Sequence, residues 1–395
     1  MNIYEGSRAI ALTVKNIRPG VVSAYPITPQ THIVEDLAQF KANGEADYEY
    51  IRAESEFAAA SIVEGGSTRG VRVYSATSSQ GLLLMSEVLF NIAGMRLPVV
   101  ITCANRGVSA PITIWNDHQD AMTVRDAGFL MFFAENHQEA IEQHLLAYKV
   151  AEKNRLPALV NIDGFILTHS YEPVQIPETK EIKKFLPDLK PKNNEILDPK
   201  NPVTMGAFAS PDYYLEIREQ LHKNSEESLT TIKEEYDKLQ KTINLKKQKY
   251  KNTKIDNGLI EYYGPKNSKT LLVGMGSMMG TVKEHADTDK KTGVLKIKTF
   301  RPFPGEEIKK VIKQTKAKNI AVLDKSISLG GEGVLASEIK AALQATARDL
   351  KTEKISCRIR SFIVGLGGRD ITRESIKNIV AESGKGGDEA VFIKK

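Results

Sequence analysis

The sequence predicts an α/β protein with parallel sheets, and three observations indicate this class. Short apolar segments alternate with helical patterns from the N-terminus to about residue 165, and a second alternating unit begins near Lys269. Such alternation is typical of parallel strands joined by helices. With 395 residues, of which 41% are hydrophobic and 26% charged, the chain has the length for two or three domains and the composition of an ordinary globular protein.

The first unit contains six predicted strands, at 21–25, 48–51, 71–76, 99–104, 129–133 and 158–162. The segments 31–40, 57–65, 80–95 and 138–153 have helix-forming composition, with Gly, Pro or Asn near their borders. Ligands of parallel sheets collect at the carboxyl ends of the strands. The loops after Tyr25, Ile51, Ala76 and Ala104 are therefore the places to look for chemistry.

Beyond the first unit, periodicity fades at 172–202, where Pro, Lys and Glu predict an extended arm. An amphipathic helix of about five turns is predicted next, with Asn224 and Glu227 as a candidate capping box. Its apolar stripe consists of Leu229, Ile232, Tyr236, Leu239 and Ile243. The second α/β unit has predicted strands at 270–273, 294–300, 320–323 and 357–364 and a helix at about 334–343.

Charge and cysteine content argue against several classes of protein. The 55 basic and 49 acidic residues give a net charge of +6, but lysines at 246–254 supply much of the excess, which is weak support for nucleic-acid binding. Cys103 and Cys357 cannot supply the four thiolates of an iron–sulfur cluster and are expected to be buried free thiols. Neither a secretory signal nor a membrane span is apparent, so we expect a cytoplasmic protein.

Two loops offer candidate binding groups for a small anionic ligand. Pro26 and Pro29 restrict the backbone on either side of Ile27 and Thr28, which suits the Thr28 hydroxyl for binding, while capping of the next helix is the alternative role. Arg106 closely follows a very apolar strand. Its guanidinium could grip a carboxylate or phosphate, and an ion pair at an interface is the alternative.

Glu54 and Glu56 follow another predicted strand and are candidates for proton transfer, although glutamates at a helix start are also common surface residues. Asp117 and His118 lack a third metal ligand at useful spacing, so a structural or interface role is favoured. His137 and His222 are expected to be solvated. Glycines at 274–280 resemble a dinucleotide-binding loop, with close packing of strand and helix as the alternative.

Six segments in sequence order together resemble one known family. They are Tyr-Pro-Ile-Thr-Pro-Gln-Thr at 25–31, Glu-Ser-Glu-Phe at 54–57, Ala-Thr-Ser-Ser-Gln-Gly at 76–81, Ile-Thr-Ile-Trp-Asn-Asp at 112–117, Phe-Arg-Pro-Phe-Pro at 300–304 and Gly-Leu-Gly-Gly-Arg-Asp at 365–370. These segments are similar to the α subunits of pyruvate:ferredoxin oxidoreductase and its 2-oxoacid relatives. The resemblance covers nearly the whole chain and is weakest at 177–254.

The resemblance implies three regions. These are a pyrimidine-binding α/β domain of the thiamine diphosphate fold at 1–170, an extended arm with an amphipathic helix at 171–262, and a smaller transketolase C-terminal-like domain at 263–395. Thiamine diphosphate would be shared with a β subunit that holds Mg and an iron–sulfur cluster. Further γ- or δ-type subunits and ferredoxin are the other implied partners. The chain has no Gly-Asp-Gly motif for a Mg-diphosphate, which agrees with that division.

The resemblance also implies roles for particular residues. Glu56 matches the catalytic glutamate that bonds the aminopyrimidine of thiamine diphosphate, Pro26 and Ile27 would contact the cofactor, and Thr28 and Arg106 would bind the substrate carboxylate. The expected reaction is oxidative decarboxylation of pyruvate to acetyl-CoA and CO2, with coenzyme A as co-substrate and ferredoxin as electron acceptor. Alternatives are a branched-chain 2-oxoacid or 2-oxoglutarate as substrate, a non-catalytic scaffold subunit, or a dinucleotide-dependent oxidoreductase.

Overall fold

A computed structural model describes residues 1–243, 245, 252–345, 357–387 and 390–394 and shows two seven-stranded sheets beside a small two-stranded one. The predicted α/β class is confirmed. The strands are β1 (Asn2–Glu5), β2 (Val21–Ala24), β3 (Glu49–Arg52), β4 (Val73–Thr77), β5 (Val100–Asn105), β6 (Leu130–Phe133), β7 (Ala158–Asp163), β8 (Tyr171–Val174), β9 (Thr253–Asp256), β10 (Ile260–Tyr263), β11 (Thr270–Gly274), β12 (Thr292–Ile297), β13 (Thr299–Arg301), β14 (Asn319–Asp324), β15 (Arg358–Ile363) and β16 (Val391–Phe392).

The α-helices connect these strands and cover the sheets. They are α1 (Gly6–Ile17), α2 (Thr31–Ala42), α3 (Glu56–Thr68), α4 (Ser79–Leu84), α5 (Ser86–Gly94), α6 (Gln119–Thr123), α7 (His137–Asn154), α8 (Thr179–Phe185), α9 (Pro211–Thr242), α10 (Met278–Thr288), α11 (Gly305–Thr315), α12 (Val334–Ala345) and α13 (Arg373–Glu382). Among the described helices, none combines the length and apolar character that crossing a bilayer requires.

The first sheet has the strand order β13-β6-β7-β5-β4-β2-β3. Strands β2 to β7 run parallel, and every residue of β4, β5, β6 and β7 is buried. Parallel strands covered on both faces read as nearly continuous apolar runs, which explains the predictions of β4 to β7. All six predicted strands are present, although β3 is largely exposed. Their carboxyl ends lie along one edge of the sheet, where the loops singled out in the sequence meet.

The second sheet has the order β16-β15-β14-β11-β12-β10-β9. It includes β9 and β10, so it begins before the predicted domain boundary at 263. The single strand predicted at 294–300 is two strands, since β12 pairs in the second sheet while β13 pairs antiparallel with β6 in the first. The segment 294–300 contains no Gly, Pro or Asn that would indicate a break, so the sequence gives no sign of this crossing between sheets. Phe300 of β13 packs against Phe133 of the first sheet, with ring centroids 6.3 Å apart.

The amphipathic helix begins earlier than its predicted capping box. α9 starts at Pro211, a favourable first helical residue because proline has no N–H to leave unsatisfied there. Asn224 and Glu227 therefore lie inside the helix, and the predicted cap is wrong. The first turns of α9 show no helical periodicity of apolar residues, because Tyr213, Tyr214 and Leu215 are exposed rather than packed on one face. The predicted stripe is confirmed, since its residues are buried or pack against the core.

The N-terminal segment was not predicted as regular structure. β1 pairs antiparallel with β8, with Asn2 opposite Val174, and α1 then buries one apolar face. The predicted arm at 172–202 therefore contains part of strand β8 and helix α8. A four-residue strand with mixed polarity gives almost no periodic signal. Its partner strand is about 170 residues away, so no local pattern indicates the pairing either.

Candidate functional site

Glu56 is the buried one of the two candidate carboxylates. β3 ends at Arg52, and the Ser55 hydroxyl caps α3 by accepting a hydrogen bond from the Ala58 N–H at 3.2 Å. This cap fixes Glu56 as the first residue of the helix, where its side chain is only 7% exposed. Glu54, two residues earlier, is exposed. Local helix geometry therefore selects Glu56 as the acid that is removed from solvent.

The Glu56 carboxylate lies against the first turn of α4. A Cβ atom added at Gly81 would stand 2.6 Å from Glu56 Oε1 and 2.5 Å from Thr77 Oγ1. The glycine is therefore what lets β4, α4 and the carboxylate approach so closely. Within the described ranges, Glu56 makes no hydrogen bond. A buried carboxylate without a partner is costly, so this one is available to a ligand.

Several polar atoms around Glu56 are also buried without a hydrogen-bond partner among the described residues. They are Thr77 Oγ1, Ser78 Oγ, Gln80 Nε2 and Arg106 Nε. Nearly all buried polar groups in proteins are hydrogen-bonded, so a cluster of unpaired atoms points to a polar ligand. The cluster offers donors and acceptors together with a carboxylate, which suits a ligand that carries both ring nitrogens and an amino group.

We expect Gly81→Ala to lower any activity that depends on the Glu56 carboxylate by up to about 100-fold, because the new methyl group must displace Glu56 or Thr77, and a displacement of about 1 Å can cost that much. The fold should survive, since alanine favours helices over glycine. Gly94→Ala is the matched control, because a Cβ there meets nothing within 4 Å. Steady-state kinetics of both variants make the comparison, and equal activities would show that Glu56 tolerates displacement.

Arg106 and Thr28 are brought together at the same edge of the sheet. Arg106 Nη1 donates to the Thr28 carbonyl oxygen at 2.8 Å, and Nη2 donates to Gln80 Oε1 at 2.8 Å. Arg106 is buried, whereas Thr28 is exposed and its hydroxyl makes no hydrogen bond to any described residue. Burial lowers the pKa of Arg106, and the charges of Asp120 and Glu56 oppose that change. Glu56, Arg106 and Thr28 therefore form one cluster.

The loop that carries Pro26 and Ile27 is held from beneath by a buried glutamine. Gln30 Nε2 donates to the carbonyl oxygens of Ala76 at 2.7 Å and Tyr25 at 3.2 Å. Pro26 is exposed and Ile27 half-buried, so both remain on the accessible side of the loop. Sequence reasoning missed Gln30, because a glutamine in a loop gives no signal of burial.

Asp120 is a second residue whose importance the sequence did not reveal. Its carboxylate accepts hydrogen bonds from the N–H groups of Ser79 at 2.9 Å and Arg106 at 3.0 Å and from the Asn105 side chain at 2.9 Å. It thus fixes the ends of β4 and β5 relative to each other. The one sequence signal for Asp120 is its position in a polar run close to Arg106.

Asp117 and His118 join the two sheets. The His118 N–H donates to the carbonyl oxygen of Lys325, which follows β14, at 2.7 Å, and Asp117 Oδ2 accepts from the Gly367 N–H at 3.1 Å. His118 Nε2 also lies 2.7 Å from Asp163 Oδ1. Neither belongs to a group of three metal-binding side chains in the described part of the chain. Both residues therefore lie where the two sheets meet within this chain, and their structural or interface role stays a prediction.

Asp163, at the carboxyl end of β7, receives several groups from the second domain. Lys325 Nζ lies 3.0 Å from Asp163 Oδ2, and the Ser277 N–H donates to the same oxygen at 2.9 Å. Burial alone would raise the pKa of Asp163, but Lys325 and the bonds from His118 and Ser277 hold it well below its usual range. Its position at the carboxyl end of a predicted strand is the sequence signal that points to Asp163.

The glycine-rich loop before α10 packs against this aspartate. Gly276 has a φ of +75°, and a Cβ there would stand 3.0 Å from both Asp163 Oδ2 and His118 Nε2. The N–H of Ser277, at the end of that loop, is already bonded to Asp163. Close packing, rather than dinucleotide binding, therefore explains the spacing of these glycines.

We expect Lys325→Met to lower the free energy of unfolding by about 3–5 kcal/mol, since it leaves the buried Asp163 charge uncompensated. Denaturant unfolding followed by the fluorescence of Trp115, the only tryptophan, measures this. Lys340→Met is the control, because its pair with Glu332 is partly exposed and is worth about 0–1 kcal/mol. Equal effects of the two variants would contradict the inferred strength of the link between domains.

Two further sequence predictions concern histidines. The expectation of a solvated His137 is wrong, because β8 covers the start of α7 and leaves His137 only 2% exposed. Burial accordingly lowers its pKa. His222 is exposed, as predicted, and lies 3.5 Å from Glu226.

Comparison with known proteins gives matches along nearly the whole chain. Residues 13–238 match the family described as pyruvate flavodoxin/ferredoxin oxidoreductase, thiamine diphosphate-binding, and residues 268–376 match the pyruvate:ferredoxin oxidoreductase core domain II. Pyruvate synthase subunit PorA of Methanosarcina barkeri is 45% identical over 100% of this chain and 95% of its own length. Its counterpart from Methanocaldococcus jannaschii is 44% identical over 99% and 97%.

Two less similar proteins also match this chain, one by sequence and one by structure. Ketoisovalerate oxidoreductase subunit VorA of Pyrococcus horikoshii is 40% identical over 97% of this chain and 95% of its own length. A solved structure of the 2-oxoglutarate:ferredoxin oxidoreductase from Magnetococcus marinus, with 2-oxoglutarate, coenzyme A and succinyl-CoA bound, superposes with a TM-score of 0.70 at 20% identity. That match covers 97% of this chain and 65% of the solved chain, and it shows the fold alone.

Proposed function

Because the chain belongs to the pyruvate flavodoxin/ferredoxin oxidoreductase family, we propose that it is the α subunit of an enzyme that oxidatively decarboxylates pyruvate to acetyl-CoA and CO2 and passes the electrons to ferredoxin. The observation that carries the proposal is the Glu56 cluster at the carboxyl edge of the first sheet. A buried carboxylate without a hydrogen bond lies there among unpaired polar atoms of Thr77, Gln80 and Arg106.

These residues fit the aminopyrimidine half of thiamine diphosphate. That cofactor supplies the carbon–carbon bond cleavage that amino-acid side chains cannot perform. Glu56 would hold and exchange a proton at a ring nitrogen of the pyrimidine, which is general acid–base work by a carboxyl group shielded from water. Pro26 and Ile27, on a loop held by Gln30, would contact the cofactor from the accessible side.

Arg106 and Thr28 would bind the carboxylate of the 2-oxoacid. The Arg106 guanidinium is held by the Thr28 carbonyl and Gln80, yet its Nε–H has no partner among the described residues. A charged donor with an unused N–H beside an exposed hydroxyl suits a carboxylate oxygen. The two residues would thus orient the substrate, while Glu56 moves the proton.

A partner subunit would complete the site. Mg, the diphosphate and an iron–sulfur cluster are assigned to a β subunit, because the two cysteines of this chain are too few for cluster ligands. Tyr25, Ile51 and Phe57 are each about 40% exposed around the Glu56 cluster, as expected of a surface covered by another chain. Further γ- or δ-type subunits and ferredoxin are proposed as the other partners.

Pyruvate is proposed as the substrate because relatives named pyruvate synthase are 42–45% identical to this chain, against 40% for the ketoisovalerate oxidoreductase subunit. A branched-chain 2-oxoacid is the second candidate on the strength of that last match. A scaffold role is disfavoured by the assembled Glu56, Arg106 and Thr28 cluster. Both cysteines are free, which suits a reducing compartment, and we propose the cytoplasm.

The test is purification of this chain alone and together with its co-purifying subunits. Alone, it should be colourless and should not oxidise 2-oxoacids, because it lacks cluster ligands. The complex should contain thiamine diphosphate and oxidise pyruvate with ferredoxin and coenzyme A. Oxidation of 2-oxoacids by the isolated chain would overturn the division between subunits, and a complex that prefers 2-oxoisovalerate would select the branched-chain alternative.

A further inference from the structure

Three side chains of metal-binding type meet beside the small β1–β8 sheet, outside the Glu56 cluster. They are Glu5 at the end of β1, His32 in the first turn of α2 and His169 just before β8. One ligand atom from each lies within 4.8 Å of the other two. Three separate segments of the chain therefore bring two imidazoles and one carboxylate to a single point.

An ion pair accounts for only part of this arrangement. His32 Nδ1 lies 2.8 Å from Glu5 Oε1, which is an ordinary histidine–glutamate contact. His169 adds a second imidazole with its ring centroid 4.7 Å from that of His32, and it makes no hydrogen bond to Glu5 or His32. Two imidazoles beside one carboxylate are more than a histidine–glutamate ion pair requires.

The partners of these side chains are consistent with a prepared site. The Thr168 hydroxyl lies 2.7 Å from His169 Nδ1 and holds the ring, as hydrogen bonds to metal-binding histidines commonly do. The Glu5 side chain is only 19% exposed, while that of His32 is 47% exposed, so the cluster is supported from inside and open to solvent on one side.

We propose that Glu5, His32 and His169 form a binding site for a divalent ion of the zinc type. Two histidines and one carboxylate are an established ligand set for Zn²⁺, with water in the fourth position and ligand distances of about 2.0–2.2 Å. Donor atoms already within 4.8 Å of one another need only small side-chain rotations to reach such distances.

The role of the ion would be structural. It would tie β1, α2 and the turn after β7 to one another, and His32 lies four residues after Thr28. The ion would therefore restrain the helix that follows the Thr28 loop. This inference is independent of the proposed reaction, because metal binding by the isolated chain is measured without any turnover.

The test uses the full chain, freed of any histidine tag and treated with a chelator. Calorimetric titration should show one Zn²⁺ bound per chain, and Zn²⁺ should raise the melting temperature. Cu²⁺ should also quench Trp115, which stacks on Phe165 with ring centroids 4.9 Å apart, while Phe165 stacks on His169 at 4.6 Å. This fluorescence reports binding at the proposed place rather than elsewhere.

His32→Gln and His169→Gln should each weaken binding by more than the roughly 10–100-fold that loss of an outer-shell partner costs. His222→Gln is the matched control, since His222 and Glu226 form an exposed pair outside any group of three ligands in the described residues. The proposal is overturned if the wild-type chain binds no Zn²⁺, or if it binds Zn²⁺ no more tightly than the His32→Gln/His169→Gln double variant.

Discussion

Replacing Glu56 by glutamine is expected to reduce the turnover of the assembled enzyme by about 10²–10⁴-fold, the usual contribution of general acid–base catalysis. The amide has nearly the same shape as the carboxyl group, but it cannot exchange the proton that the pyrimidine ring requires. The residue is the first of α3 and its helix is capped by Ser55, so the substitution leaves the local fold intact. Steady-state kinetics on the purified complex measure the loss.

Glu54→Gln is the control for that experiment. It makes the same chemical change two residues away, on an exposed side chain at the same strand end. We expect its turnover to stay near that of the wild type, and size-exclusion chromatography should show both variants assembled. A larger loss for Glu54→Gln than for Glu56→Gln would mean that the catalytic carboxylate was misassigned.

Arg106→Lys is expected to lower kcat/KM by roughly ten- to a hundredfold with the complex still assembled. Lysine keeps the charge, but its single ammonium nitrogen lacks the planar fork that reaches the Thr28 carbonyl and Gln80 from two nitrogens and presents a third to a carboxylate. A hydrogen bond to a charged group is worth roughly 1.5–3 kcal/mol, which corresponds to that range. Pyruvate kinetics and size-exclusion chromatography on the same preparation measure both quantities.

A role for Arg106 in subunit contact makes the opposite prediction. Assembly would then weaken, while kcat/KM per assembled complex would stay unchanged. Arg72→Lys is the matched control, since Arg72 is equally buried and bonds both oxygens of Glu152 away from the site. It should affect stability and leave kcat/KM alone. An intact Arg106→Lys complex with unaltered kcat/KM would discard the carboxylate clamp.

The parallel strands were predictable because their physical cause is local. A strand buried on both faces is largely apolar, and β4, β5 and β7 are fully buried with only a few polar residues each. The two acids Glu54 and Glu56 are also recognisable in the sequence. Which of them is buried depends on the Ser55 cap and on the absence of a side chain at Gly81. The resemblance to a family selected Glu56, and the packing gives the physical reason.

What the sequence could not predict depends on contacts between distant segments. His137 is polar and heads a helix, yet it is buried because a strand from elsewhere covers it. Lys325 and Asp163 are 162 residues apart, so no spacing rule connects them. The short strand β1 has its partner at 171–174. In each case the structure depends on the pairing of two distant segments, and neither segment alone has a sequence pattern that predicts it.

The chain crosses from the second sheet to the first between β12 and β13, and this crossing limits where the protein can be cut into separate fragments. β13 covers the outer side of β6, a strand whose four residues are all buried and apolar. A fragment that ends before β13 would leave the backbone groups of β6 unpaired along an apolar edge, and such an edge is a template for aggregation. The first domain therefore depends on the second for its solubility, and truncation between the two matched regions would yield an insoluble fragment.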